Sequence, residues 1–396
     1  MQRLIPSVQD MLEQLIASPS VSSASSHWDQ SNAPVVHLLA DWLQRLDFKV
    51  ETLPVPGVPG KFNLIATLGE GPGGLVLSGH TDTVPYDQHR WQSDPFKLTA
   101  RGDRWYGLGT CDMKGFFPLA IEAALSVRGQ RLREPLIILA TADEESAMSG
   151  ARALVEAGRP KARYAVIGEP TELRPIRMHK GIMMERLVMQ GRSGHSSDPA
   201  LGRNALEGMH AALGSLLEYR QQLQDRHRND AFRVAVPTLN LGHVHGGDNP
   251  NRICADCELH FDLRPLPGMN LDDLRDAMRD RIMPIARERE LGCTLEPLFA
   301  GVPAFEQGAE STLVRLCEQM TGHQAEAVAF ATEAPFLQQL GMETLVMGPG
   351  SIDQAHQPDE FIALSQLQPT IDVLTRLIAH CCLAQTSTPT PTGEAP

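Results

Sequence analysis

The chain has 396 residues, with 48 Asp and Glu against 35 Lys and Arg for a formal net charge of −13, a size that suits roughly two to three domains. Hydrophobic residues make up 42% and charged residues 21%, and no apolar run approaches the ~20 residues of a bilayer-spanning helix, so a membrane protein is not expected. The acidic surplus and the lack of a Lys/Arg run argue against nucleic acid as a partner and leave small molecules or neutral surfaces.

Met1–Asp10 lacks a basic segment followed by an apolar one, so a cytoplasmic location is expected. The 7 cysteines have no framework spacing and read as reduced thiols. A helical period runs from Val8 to Ile16 and another from Val35 to Leu46, separated by a Ser-rich loop. Strand-like runs then alternate with helices: Phe62–Leu68, Leu75–Ser78, helix Phe116–Val127, Leu136–Thr141, helix Ser149–Ala157 and Tyr164–Ile167. This alternation predicts an α/β fold, a mixed and mostly parallel sheet flanked by helices.

The rhythm changes after Ile182. Strand Met183–Gln190, helix Ala205–Leu223, strands Thr238–His243 and Cys257–Arg264, helix Leu271–Ala286 and strand Cys293–Leu298 form a βαββαβ order, that of an inserted ferredoxin-like α+β domain. Helix Ser311–Met320, strand Thr344–Met347 and helix Leu364–His380 return to the first domain. The expected division is residues 1–181 with 300–385 as a metal-binding catalytic domain, 182–299 as a lid and dimerisation domain, and 386–396 as a disordered Thr/Ser/Pro tail.

The residues suited to chemistry stand at strand ends. His80 and Asp82 follow the apolar run Leu75–Leu77, where open α/β sheets place their ligands, so His80 is a candidate metal ligand and Asp82 a carboxylate to orient its ring. Asp112 precedes a helix, a position that also suits an N-cap. Asp143, Glu144 and Glu145 follow Leu136–Thr141, and three adjacent carboxylates repel unless a cation is present. Glu169 ends another apolar run, and His356 follows Thr344–Met347. Imidazole and carboxylate ligands together suit zinc, or cobalt or manganese. Cys254 and Cys257 have a CxxC spacing inside an alternating strand and read as structural, and His243 and His245 lead into a turn.

His80-Thr81-Asp82, Asp112-Met113-Lys114-Gly115, Glu144-Glu145, Gly168-Glu169-Pro170 and His356 resemble, in order and spacing, the co-catalytic di-zinc metallopeptidase family that includes aminoacylases, succinyl-diaminopimelate desuccinylase and carboxypeptidase G. Gly79–Pro85 with Arg90-Trp91, Gly191–Pro199, Thr238–Pro267 and Thr332–Phe336 are most similar to the acetylornithine deacetylases of that family. The resemblance implies two divalent metal ions, zinc or cobalt. Asp112 would bridge them, His80 and Glu169 would complete one site, and Glu145 and His356 the other. It implies Glu144 as general base, Asp82 as the carboxylate behind His80, and hydrolysis of N2-acetyl-L-ornithine in arginine biosynthesis. Acetylcitrulline, succinyl-diaminopimelate and other N-acylamino acids are alternative substrates.

The resemblance further implies a homodimer in which His195, in Gly194-His195-Ser196-Ser197, reaches the partner's active site and stabilises an oxyanion. Arg264, Asn251 and Arg252 are candidates for the substrate carboxylate, with a structural ion pair as the other reading of each Arg. Gly350 lies in a glycine-rich loop that resembles one near the family's substrate. Cys111 beside Asp112 departs from the family pattern. A non-catalytic binding module would lack a ligand or the base, and this sequence keeps them all.

Overall fold

The structure is a computed structural model that describes residues 4–383; the expected disordered tail, residues 386–396, lies outside the described residues. In chain order its principal elements begin with α1 (Val8–Ile16), α2 (Ala33–Arg45), β1 (Lys49–Pro54), β2 (Phe62–Leu68), β3 (Leu75–His80), α3 (Phe116–Ala124), β4 (Leu136–Thr141), α4 (Ser149–Ala157) and β5 (Tyr164–Pro170). They continue with β6 (Met183–Gln190), α5 (Ala205–Arg226), β7 (Thr238–Gly246), β8 (Asp256–Arg264), α6 (Leu271–Glu288), β9 (Gly292–Pro297), α7 (Thr312–Thr321), β10 (Glu343–Gly348) and α8 (Leu367–Cys382). The described residues divide into two compact units: 4–175 with Gly308–Ala325 and 336–383, and Ile176–Gln307 with Glu326–Pro335.

In the first unit the strands run β1-β2-β4-β3-β5-β10. The pairs β4–β3, β3–β5 and β5–β10 are parallel and the β1–β2–β4 edge is antiparallel. Every residue of β3, β4 and β5 is buried, which is why these strands read as continuous apolar runs rather than alternating ones. Helices supply the cover. Leu39 and Leu43 of α2, Phe116 and Phe117 of α3, and Leu377 and Ile378 of α8 share one core with Leu77, Ile138, Val166 and Leu345 of the strands. Helix α1 starts on a capping box, with Ser7 Oγ accepting the Asp10 N–H at 3.2 Å and the Asp10 carboxylate accepting the Ser7 N–H at 3.3 Å.

Several helix boundaries shift from expectation, two of them for a local reason. The helix expected to reach Val127 ends at Ala124 and closes as a 3-10 turn, where Ser126 Oγ donates to Ala123 O at 2.6 Å and competes with the regular backbone pattern. The last helix begins at Leu367, which places Pro369 in its first turn, where the missing N–H costs no bond.

The second unit contains the ferredoxin-like arrangement. Its antiparallel sheet runs β7-β8-β6-β9, and Leu187, Leu259, Phe261 and Leu263 form a core with Met209 and Leu216 of α5 and Met278 and Ile282 of α6. Inward residues of β8 alternate with half-buried ones, from Cys257 to Leu263, as a sheet covered on one face requires. A buried ion pair ties α6 to β6, with Arg275 Nε 2.8 Å from Glu185 Oε1.

Candidate metal centre

Three parallel strands deliver their C-terminal ends to one place in the first unit. His80 is the last residue of β3, Glu144 and Glu145 lie just beyond β4, and Glu169 is the next-to-last residue of β5. Parallel pairing makes this geometric, because strands that share a direction share an end. Asp112 arrives on the loop before α3, and His356 on the loop after β10.

The resulting side chains form three overlapping groups with ligand atoms within 4.8 Å of one another: His80, Asp112 and Glu169; Asp112, Glu145 and His356; and His80, Glu144 and Glu145. Asp112 is common to the first two. His80 Nε2 lies 3.1 Å from Asp112 Oδ1 and 3.9 Å from Glu169 Oε1. On the other side, His356 Nε2 lies 3.1 Å from Glu145 Oε2 and 3.6 Å from Asp112 Oδ2. Among the described residues, these are the only such groups.

The electrostatics show a cluster with too much negative charge for its own residues. Burial opposes charge on His80, yet its hydrogen bond to Asp112 and the Glu169 and Glu144 carboxylates hold its pKa well above the ordinary value. The Glu145 carboxylate beside His356 raises that imidazole to about 9. Burial, and then the Asp112 charge, push Glu145 up. Glu145 Oε1 is buried without a hydrogen-bond partner. A carboxylate oxygen with no donor, a carboxylate shared by two groups and imidazoles drawn to their charged form are what a donor set built for two divalent cations shows when protons stand in for the cations.

Asp82 sits behind His80 but acts in a different way from the expectation. His80 Nδ1 is 3.0 Å from the backbone O of Asp82 and 3.7 Å from its carboxylate, so the carbonyl takes the ring N–H. The carboxylate instead accepts the N–H of Glu144 at 3.3 Å and of Glu145 at 3.1 Å, which fixes the turn that presents both glutamates.

Glu360 has no assigned role in the sequence reading, yet it organises the Asp112 loop. It is 1% exposed, and its carboxylate accepts the N–H of Gly109 at 3.0 Å, Cys111 at 2.7 Å and Asp112 at 2.9 Å. Burial pushes its carboxyl up, to about 8, against these three donors. Its partners are backbone amides, which leave no mark in the sequence. Cys111 is buried, its Sγ donates to Ser351 O at 3.4 Å, and burial holds the thiol far above its ordinary pKa, so it packs as a neutral group.

Gly350, also in the first unit, has φ +86°, and a Cβ there would collide with Cys111 Sγ, so glycine is required by backbone and by space. The remaining candidates belong to the second unit. His195 is exposed and its Nδ1 accepts the Ser197 N–H at 3.2 Å. Arg264 pairs with Asp262 at 2.9 Å, and Arg252 pairs with Asp248. The Asn251 N–H donates to Asn249 Oδ1 at 3.2 Å. Cys254 and Cys257 are free and buried.

Comparison with known proteins agrees with this chemistry. The sequence pattern of peptidase family M20/M25/M40 matches residues 76–380. Among solved structures, an M20 family metallo-carboxypeptidase from Sulfolobus solfataricus superposes with TM-score 0.74 at 16% identity, over 94% of this chain and 99% of that one. The aminopeptidase PepT from Bacillus cereus gives 0.72 at 18%, over 95% and 99%. A dinuclear metal-binding M20 peptidase from Bacillus subtilis gives 0.67 at 15%, over 94% and 97%. At these identities the likeness establishes the fold.

Proposed function

The chain belongs to peptidase family M20/M25/M40, and on that premise we propose that it is a di-metal amidohydrolase that removes the acetyl group of N2-acetyl-L-ornithine, giving L-ornithine and acetate, as a cytoplasmic enzyme of arginine biosynthesis. The observation that carries the reading is the sharing of Asp112 between the group with His80 and Glu169 and the group with Glu145 and His356. Two divalent cations, zinc or cobalt, held by these residues would polarise the amide carbonyl and lower the pKa of the attacking water.

Glu144 is the proton carrier. Its amide is held by Asp82, and its carboxylate takes a proton from the attacking water and returns it to the leaving amine nitrogen. Asp82 acts as a positioning residue, through the His80 ring and the glutamate turn. In the same reading the protein is a homodimer, the unit containing residues 182–299 serves as lid and dimerisation domain, and His195 acts on the partner's substrate. The Ser197 N–H on Nδ1 leaves Nε2 to carry the proton of the neutral ring, the form that donates to an oxyanion. Arg264, Arg252 and Asn251 are placed on the substrate carboxylate, and Gly350 on the loop beside it. The ion pairs of both arginines must loosen for that role.

The test is kcat/KM of the zinc- or cobalt-loaded protein on acetylornithine, acetylcitrulline, succinyl-diaminopimelate, acetylmethionine and a dipeptide. Preference for acetylornithine, abolished by chelator, supports the assignment. Preference for another member of the panel transfers the assignment to that substrate, and turnover unaffected by metal removal overturns the mechanism.

A further inference from the structure

Among the described residues, Asp143 belongs to none of the three ligand groups, although it stands directly before Glu144 and Glu145. It lies in the loop that carries them. Residues 142–150 close on themselves after β4: the Gly150 N–H donates to Ala142 O at 3.1 Å, and Asn63 spans the same two ends, accepting the Ala142 N–H at 3.1 Å and donating to Gly150 O at 2.9 Å. A Cβ at Gly150 would collide with Ala142 O, so the ends meet only because glycine is there.

Asp143 holds this loop from within. It is buried, its backbone carbonyl accepts the N–H of Ala147 at 3.2 Å and of Met148 at 2.7 Å, and its carboxylate accepts the Ser149 hydroxyl at 2.6 Å. With φ +62° it has a left-handed backbone, which aspartate, asparagine and glycine adopt far more readily than alanine. A left-handed residue cannot continue a strand, so this turn sets the direction in which Glu144 and Glu145 leave β4. From outside the loop, the Asp82 carboxylate accepts the N–H groups of both glutamates, so the pair is fixed from two sides.

We propose that Asp143 is a positioning residue, whose left-handed backbone and bond to Ser149 shape the loop so that Glu145 meets Asp112 and His356 and Glu144 stands beside it. The part that concerns Glu145 rests on the geometry of the ligand groups, and the part that concerns Glu144 as proton carrier rests on the amidohydrolase reading above. The role asks for a backbone conformation and a hydrogen-bond acceptor, not for a charge. Asparagine supplies both, glycine the conformation alone and alanine neither.

The experiment compares wild type with Asp143→Asn, Asp143→Gly, Asp143→Ala and Ser149→Ala, by competitive chelator titration of zinc and by kcat and KM on acetylornithine. Asp143→Ala should weaken one of the two zinc sites about 10- to 100-fold, the scale of losing a group that orients a ligand. It should also lower kcat while leaving KM near the wild-type value, because Asp143 aims the base without touching substrate. Asp143→Asn should stay close to wild type in both measurements, and Asp143→Gly and Ser149→Ala should fall between. Wild-type zinc affinity in Asp143→Ala overturns the proposal. Equal losses in Asp143→Asn and Asp143→Ala also overturn it, since they would assign the effect to charge. If Asp143→Ala does not fold, Asp143→Gly and Ser149→Ala decide, and wild-type zinc affinity in both overturns the proposal. If acetylornithine is not hydrolysed, the amidohydrolase reading falls, and the order of zinc affinities still decides the role of Asp143.

Discussion

Glu360 holds Asp112 by its backbone: the Glu360 carboxylate accepts the Asp112 N–H at 2.9 Å, with the neighbouring Cys111 N–H at 2.7 Å. The residue shared by two ligand groups is therefore positioned from a loop some 250 positions away, and its side chain is left to face the cluster. Glu360→Ala should lower stability by at least ~2 kcal/mol, since three buried amides lose their acceptor. It should also weaken metal affinity about 10- to 100-fold, the usual effect of removing a group that orients a ligand. Urea unfolding and competitive chelator titration measure the two effects. Unchanged metal affinity would show that the Asp112 loop holds its shape without Glu360.

Glu144 and Glu145 are adjacent but differ in role under the proposed mechanism. Glu144→Ala should retain two metals per chain and lose kcat by 10²-fold or more, the typical contribution of a general base. Glu145→Ala should lose metal. Metal analysis and kcat on the same preparations separate them, and metal loss in Glu144→Ala would reverse the assignment.

His179 gives the second unit a pH-dependent stability. Burial lowers its pKa to about 4. Its Nδ1 donates to Lys180 O at 2.9 Å and its Nε2 accepts the Thr332 N–H at 3.3 Å, so both ring nitrogens are satisfied only in the neutral form. The unfolded chain takes up a proton near pH 6.5 and the folded one only near 4. Stability is therefore complete above pH 6.5 and falls as pH drops through this window, by about 3 kcal/mol in total. Urea midpoints from pH 7 to 4 should fall more steeply in wild type than in His179→Gln. Parallel curves would rule this group out as the source.

Gly168 precedes Glu169 in β5, and a Cβ there would collide with the ring of Phe116, which is 1% exposed. Gly168→Ala should cost about 1–3 kcal/mol by overpacking and should displace Glu169, lowering metal affinity as well as melting temperature. Gly214→Ala is the control, because a Cβ there meets nothing within 4 Å and helix propensity favours alanine. A melting temperature for Gly168→Ala equal to wild type would show that the ring can yield.

Much of the fold is legible in the residues. The Val8–Ile16 helix and the Leu136–Thr141 strand fall where period and apolar run place them. The βαββαβ order appears as the sheet β7-β8-β6-β9. The edge strand Lys49–Pro54 and the short strands Thr99–Arg101, Arg104–Tyr106 and Phe361–Ala363 escape notice, because they are exposed or brief and carry no sustained alternation.

Which side chains are available for chemistry, and that they stand at strand ends, can be read along the chain, since apolar runs and the polar residues that follow them are local features. How those ends meet depends on the packing of distant segments. Parallel pairing of β3, β4 and β5 brings His80, Glu144, Glu145 and Glu169 together, and the Glu360 carboxylate sets Asp112 among them. The same packing gives the Asp82 carboxylate to the glutamate turn and its carbonyl to His80. The physical reason is that these contacts are made to backbone N–H and C=O groups. Every residue but proline carries both, so no sequence pattern marks which of them a distant side chain will find.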